Sequence, residues 1–390
     1  MMRFLTFFLI PLLLVAKQFS VATYNVENLF DLKISGHEYK EYIPNSKSGW
    51  TDKMLSSKIR NLARVIKDIG ADIISLQEVE SKEVLKRLNN ALGKKRYPYM
   101  YSSFKTKGLD IVLLSRYPIK EHNIYNVLKR FRPIHRVALD IDGFRLVIFM
   151  NHWPSYRHSV QTRMKFAKKL KELYKKEKNY ILLGDFNSPL LKNKKAWGSE
   201  VALVSHENYN LWYDIPKNSR YSYKFYKIKN AIDHIIVSKS LENMYIKGSF
   251  KVSNFSYLTD KYGNAKRWKI SKKGKGKHLG VGYSDHFAIL ASFTTKQEKK
   301  VKPKEISIKE LLTKEGRVNY LLKDVIVIRK NRYGATIEDK DRDKIYIFKP
   351  DCNLKVGDIY SLHVKELATY KGKKEITLLD FNSCLDKISD

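Results

Sequence analysis

Residues able to bind a hard cation or to move a proton recur at the ends of apolar, strand-like runs. Asn25 and Glu27 end one run, Gln77 and Glu78 a second, and Asn151-His152 a third. Asp185 and Asn187 close a fourth, Asp233-His234 open a fifth, and Ser284-Asp285-His286 precede a sixth. A single strand-end carboxylate is usually a helix cap or a surface charge. Six such ends in types suited to one chemistry point to a site displayed by loops on a rigid scaffold. Carboxylates and an amide oxygen suit Mg2+ or a similar divalent cation, which neutralises and orients an anionic substrate. Histidine, with an unperturbed pKa of about 6.5, can take a proton from water or give one to a departing alkoxide. An aspartate bonded to a histidine fixes its tautomer and raises its basicity. Together these parts fit hydrolysis of a phosphodiester.

The elements that must carry them alternate along residues 19–295. Apolar runs predict strands at 19–26, 72–76, 110–115, 137–141, 145–151, 180–184, 231–237 and 287–292. Leu55, Ile59, Leu62, Ala63, Ile66 and Ile69 form one stripe at helical spacing over 52–69, and Met164, Ala167, Leu170 and Leu173 another over 159–176. Strands 137–141 and 145–151 follow each other with no helix between, so the sheets must be partly antiparallel. That predicts a layered α+β sandwich rather than a doubly wound parallel sheet. The charged segment 296–305 reads as a linker. Beyond it, five short runs at 324–329, 334–338, 344–348, 359–367 and 375–381, separated by turn signals, predict a small all-β barrel at 306–390.

Composition bounds the function. The chain has 390 residues, 43% of them hydrophobic, and a net charge of +35. That apolar content excludes wholesale disorder, and the absence of a long apolar run past the N-terminus excludes a polytopic membrane protein. The charge calls for a polyanionic partner, nucleic acid before an anionic membrane surface. Residues 301–390 hold 19 Lys+Arg against 15 Asp+Glu, so nearly all the excess lies in residues 1–300. Arg3 and the apolar run 4–16 read as a secretory signal over 1–18, with no stable membrane insertion after its removal and a secreted or periplasmic destination. Cys352 and Cys384 are too few for a zinc site. They leave one disulfide or two buried thiols.

In order along the chain, Thr23-Tyr24-Asn25-Val26-Glu27-Asn28-Leu29-Phe30, Leu76-Gln77-Glu78, Ser115-Arg116-Tyr117-Pro118, Asn151-His152-Trp153-Pro154-Ser155, Gly184-Asp185-Phe186-Asn187, Ile232-Asp233-His234 and Ser284-Asp285-His286 resemble the endonuclease/exonuclease/phosphatase superfamily. That superfamily includes pancreatic-type deoxyribonuclease, abasic-site endonucleases, sphingomyelinases and inositol polyphosphate 5-phosphatases. The resemblance covers residues 19–295 and implies a four-layered α/β sandwich of the deoxyribonuclease-like type with a divalent metal at the strand ends. It implies metal ligation by Asn25, Glu78 and Asp285. His152 then matches the first catalytic histidine, Asp185 and Asn187 the pair that orients water and binds phosphate, and Asp233 the partner of His286. Deoxyribonuclease-type members orient the first histidine with a glutamate, but residues 96–108 contain no acid, so His152 is expected to bind phosphate more than to act as an acid. His135, His158, His206 and His278 match no motif and read as surface or structural.

The superfamily divides by substrate, and the metal site alone does not choose among phosphate esters. Residues 265–278 carry seven Lys+Arg and no acid on the way to His286. Lys266, Arg267, Trp268 and Lys269 are therefore expected to contact a nucleic-acid backbone. The tail resembles an OB-fold, in which the third and fifth strands pair in parallel; that geometry favours a Cys352–Cys384 disulfide, and Tyr333, Tyr346, Phe348 and Tyr370 offer rings for bases. The expectation is an exported, Mg2+-dependent deoxyribonuclease of low sequence specificity, with Mn2+ or Ca2+ as alternative metals, DNA the favoured polymer and no protein partner. A lipid or sugar phosphodiesterase at a membrane is the alternative; it requires an apolar insertion loop near the site, and the sequence offers only basic ones. A binding module on a dead scaffold is a third, disfavoured by the complete residue set.

Overall fold

The computed structural model describes residues 16–104, 108–190, 198–226, 228–295, 302–380 and 383. The apolar run of the expected signal up to residue 15, residues 296–301 of the expected linker and Cys384 lie outside the described residues. In chain order the first strands are β1 (Gln18–Leu29), β2 (Ile73–Val79), β3 (Tyr99–Tyr101), β4 (Asp110–Ser115), β5 (Ile119–Tyr125), β6 (Ile134–Ile141) and β7 (Phe144–His152). There follow β8 (Tyr180–Asp185), β9 (Tyr209–Asn210), β10 (Tyr223–Phe225), β11 (Ile228–Asn230), β12 (Asp233–Val237), β13 (Lys251–Val252) and β14 (Ile289–Thr294). They build two six-stranded sheets, β13-β14-β1-β2-β4-β3 and β5-β6-β7-β8-β12-β9, while β10 and β11 form a separate hairpin.

The sheets face each other through an apolar interior in which Phe19, Val21, Ile73, Ile111 and Leu113 of one meet Val137, Leu146, Ile148, Ile181, Leu183 and Ile235 of the other. The alternate residues of β1, such as Ala22, Tyr24 and Val26, point outward to helices α1 (Asp52–Ile69) and α2 (Lys82–Ala91). On the far side, α3 (Val160–Tyr174) sets Phe166, Ala167, Leu170 and Tyr174 against Phe149 and Leu182. Helix, sheet, sheet and helix make the four layers expected from sequence. A fully buried Leu or Ile contributes roughly 2 kcal/mol, whereas an exposed ion pair contributes less than about 1, so these interiors and not the lysine-rich surface hold the fold. Among the described residues no helix is long and apolar enough to cross a membrane.

Register decides what reaches the rim. β1 and β2 run parallel with Asn25 beside Gln77, and β7 and β8 run parallel with His152 beside Asp185. β12 is antiparallel to β8 and sets Asp233 opposite Asp185. β14 is antiparallel to β1, so His286, just before it, arrives at the same end.

The C-terminal strands β16 (Gly316–Asn331), β17 (Gly334–Glu338), β18 (Lys344–Phe348), β19 (Ile359–Tyr370) and β20 (Lys373–Leu379) close into a five-stranded barrel through a β16–β19 pairing, with β18 and β20 parallel. β15 (Lys304–Glu305), expected in the linker, adds to β16, and Gln18, expected in the signal, already belongs to β1. Cys352 is disulfide-bonded. Arg220 of the first domain grips Asp351 of the barrel through two hydrogen bonds of 2.6 and 2.5 Å.

Gly184 lets β7 and β8 approach. Its φ is +131°, and a Cβ there would stand 2.0 Å from the carbonyl oxygen of Asn151. Gly184→Ala should therefore cost about 3 kcal/mol or more, because backbone must shift and a positive φ penalises any side chain. Urea unfolding measures this; a loss below about 1 kcal/mol would contradict the close approach.

Candidate active site

The rim residues form one charge-coupled cluster. The Asn25 side-chain NH2 donates to Glu78 Oε1 and to Asp185 Oδ2, both at 3.1 Å, and its carbonyl accepts from Glu27 N–H at 3.0 Å. Asn25 thus holds two carboxylates as a donor here, and its service as an oxygen ligand would require the amide to turn. Glu78 also accepts from Asn28 N–H at 2.8 Å. Glu27, Asn28, Glu78 and Asn187 all have positive φ, a strained state for residues with side chains and one that gathers at functional rims.

Asp233 Oδ2 lies 2.7 Å from His286 Nδ1, and His286 Nε2 points toward Asp185 Oδ2 at 4.0 Å. Burial opposes a charge on His286, yet Asp233, Asp185 and Asp285 hold its pKa well above 6.5. Asp185 is itself pushed up to about 7, by burial first and by Asp233 next. Its Oδ1 accepts Asn187 N–H at 2.8 Å, and Asn187 Nδ2 donates to Trp153 O at 3.0 Å. His152 goes the other way: burial, then Arg132 and His286, lower its pKa well below 6.5. Its Nε2 stands 3.6 Å from Asp185 and 3.8 Å from Glu78, and its buried Nδ1 has no hydrogen-bond partner among the described residues. The acid missing from the sequence is therefore missing in space, and a neutral His152 is suited to donate a hydrogen bond rather than to drive proton transfer.

The donor set fits a hard divalent cation. Asp185, Asp233 and His286 each bring one candidate atom within 4.8 Å of the others, and the buried Oδ1 of Asp233 has no hydrogen-bond partner among the described residues. Because Asp233 occupies Nδ1 of a protonated His286, that pair is better arranged for protons than for ligation. The oxygens of Glu78 and Asp285, with Asn25, are the ones that would hold the cation.

Two cations border this cluster, Lys58 from within and Arg267 from the surface. Lys58, fully buried on α1, donates to the carbonyl of Glu27 and faces Glu78 and Asp285; burial lowers its pKa to about 8. Arg267 binds Glu27, with Nε 2.9 Å from Oε1, and approaches Asp285 Oδ2 at 3.7 Å. Glu27 is raised to about 7 by burial and Asp285.

Of the four expected substrate contacts, Trp268 does not meet the expectation. It is 2% exposed, crosses Trp50 edge-on, and donates from Nε1 to Nδ1 of His278 at 2.8 Å. Its backbone N–H holds Glu27, so it supports the site from within. Arg267, Lys266 and Lys269 are all exposed, with Arg267 paired to Glu27 and Asp285. His278 and His135 are buried, the latter 3.2 Å from Asp110, and His158 and His206 are exposed. Lys58, Arg132 and the structural role of Glu27 escape sequence reading. The one available signal was a lysine falling on the apolar stripe of α1.

Sandwich and rim together define a phosphodiesterase-type hydrolase. The chain belongs to the Endonuclease/Exonuclease/phosphatase family, whose sequence model matches residues 20–295. Solved structures with a similar trace include truncated TDP2 from Caenorhabditis elegans, at 17% identity and TM-score 0.48 over 71% of this chain and 97% of that one. An endonuclease/exonuclease/phosphatase from Beutenbergia cavernae is similar at 11% identity and TM-score 0.47, over 91% and 83% of the two chains. Sphingomyelinase C from Streptomyces griseocarneus is similar at 17% and 0.47, over 71% and 99%. No curated protein sequence matches the chain.

Two stability predictions test these assignments. Lys58→Met should cost about 3 kcal/mol in chelator, since it leaves buried carboxylates uncompensated; unchanged urea unfolding would contradict that. His234 is buried, accepts from Asn210 at Nδ1 and donates from Nε2 to Ser188 O, and burial lowers its pKa to about 4. A folded pKa below the unfolded value of about 6.5 means stability falls as pH drops from about 6.5 to about 4, by about 3 kcal/mol. The urea midpoint should lose this part of its pH dependence in His234→Gln; an identical pH profile would contradict it.

Proposed function

We propose that this protein is an exported, metal-dependent phosphodiesterase that hydrolyses nucleic acid, DNA before RNA, with little sequence preference. The observation that carries the reading is the rim itself, where one neutral histidine, one protonated histidine–aspartate pair and a carboxylate near neutrality converge inside a strongly basic domain. Mg2+, held by Glu78 and Asp285 with Asn25, would neutralise charge on the scissile phosphate. Asp185, with Asn187, would hold the attacking water and accept its proton, a task suited to a pKa near 7. His286, kept protonated and oriented by Asp233, would donate to the leaving oxygen. His152, kept neutral, would bond a nonbridging oxygen, with Arg132 beside it. Nearly all of the chain's excess positive charge lies in this domain, which suits capture of a polyanion. In the barrel, Tyr333 and Tyr370 are exposed, with Arg332 and Lys371 over their rings, which supports added grip through stacking.

One observation favours the lipid reading. Contrary to the sequence-based expectation of basic loops alone, hairpin β10–β11 exposes Phe225, Tyr226 and Ile228 near the site. Purified protein should cleave DNA with Mg2+ and not with excess chelator, and Glu78→Ala and His286→Ala should each lose at least about a hundredfold in kcat/KM while remaining folded. Full activity in either variant, or release of phosphocholine from sphingomyelin with no action on DNA or RNA, would contradict the proposal.

A further inference from the structure

We infer that hairpin β10–β11 is a base-stacking element and that the site therefore takes single-stranded nucleic acid in preference to duplex. The inference rests on the nucleic-acid reading above and adds the form of the substrate. The base of the hairpin is bound to the catalytic pair. Ser222 Oγ accepts the backbone N–H of Asp233 at 3.1 Å, Ser222 O accepts Phe287 N–H at 2.7 Å, and Tyr223 bridges to His286 with ring centroids 5.3 Å apart. The tip lies three residues further, about 10 Å along an extended strand. That distance would let the tip meet the nucleotides that flank a phosphate held at His286.

The tip is built against local preference. Phe225 pairs with Ile228, and the chain turns at Tyr226, whose φ of +52° is one that tight hairpin turns usually give to asparagine or glycine. Phe225, Tyr226 and Ile228 are 52%, 74% and 58% exposed, and the ring of Tyr226 meets that of Phe225 at 4.6 Å. Nothing in the fold explains a bulky ring at a strained, exposed turn. Below the tip, Lys224 and Lys229 occupy paired positions, Lys224 reaching the carbonyl of Tyr262 and Lys229 that of Asn218, so the base of the hairpin is basic.

Further exposed rings stand around the same mouth. Tyr39 lies close enough to Glu78 and Arg132 to feel their charges, Tyr156 lies near Tyr223, and the carbonyl of Tyr262 holds Lys224. The tip gathers only Phe225, Tyr226 and Ile228, while the other exposed rings are dispersed among lysines, an arrangement that matches successive bases along a basic track better than one broad apolar patch for lipid. A duplex keeps its bases stacked on each other, so these rings can be used only by unpaired ones. Stacking accepts every base, which agrees with low sequence preference.

The test is kcat/KM, with Mg2+, on an oligonucleotide and on its duplex, for wild type and for Phe225→Ala/Tyr226→Ala. Wild type should favour the single strand, and the double variant should lose about tenfold on it, through KM, with little change on the duplex. Tyr226→Phe alone should keep the preference, because the ring and not the hydroxyl stacks. Equal rates of wild type on both forms, or an undiminished single-strand rate in a double variant that melts like wild type, overturns the inference and leaves the nuclease reading standing. Binding of wild type to phosphatidylserine vesicles that the double variant loses, with single-strand cleavage intact, assigns the hairpin to membranes and also overturns it. Cleavage of neither polymer overturns the nucleic-acid reading itself.

Discussion

The structure is organised around the cost of gathering acids where water is scarce. Glu27, Asp185 and Asp233 are buried at one rim, with Glu78 and Asp285 beside them. An uncompensated buried carboxylate either takes up a proton or destabilises the fold. Lys58 from α1, Arg267 from the loop before β14 and the protonated His286 share the compensation. Each comes from a different segment, so the cluster forms only when the whole sandwich has closed. Compensation is incomplete, as the elevated pKa values of Asp185 and Glu27 show. A divalent cation can complete it and leave positive charge for an anionic substrate.

The two sheets divide the work. β1 and β2 bring Asn25 and Glu78, the cation side; β7, β8 and β12 bring His152, Asp185 and Asp233, the proton side. His286 arrives from the first sheet and bonds to Asp233 of the second, so it ties the halves together where chemistry is expected. A slip of one residue in any of these registers would turn its rim side chain to the opposite face. The close β7–β8 approach at Gly184 keeps Asp185 beside His152, which explains why a glycine stands immediately before the central aspartate.

Much of this was legible in sequence because it is local. Strand ends such as Gly184-Asp185-Phe186-Asn187 announce both the strand and the residue it displays, and the stripe of α1 fixes its boundaries from 52 to 69. What escaped depends on contacts distant in the chain. Lys58 lies on that same stripe, where a solvated lysine is the common case, and only the fold shows that Glu27 lies above it. Trp268 sits in a basic run that reads as an exposed grip, yet its ring fills the space between Trp50 and His278. The β10–β11 hairpin has no turn signature because Tyr226 occupies a place where asparagine or glycine would announce it. The residues least visible in sequence are thus those that tune charge or face the substrate.

The central claim is that the acids at this rim form one cation-dependent site. Calorimetric titration of the full chain with Mn2+ tests it without relying on catalysis. One site should be seen in wild type and be weakened at least about tenfold in Glu78→Gln, a change that keeps shape and removes charge. Undiminished Mn2+ binding in Glu78→Gln would contradict the account.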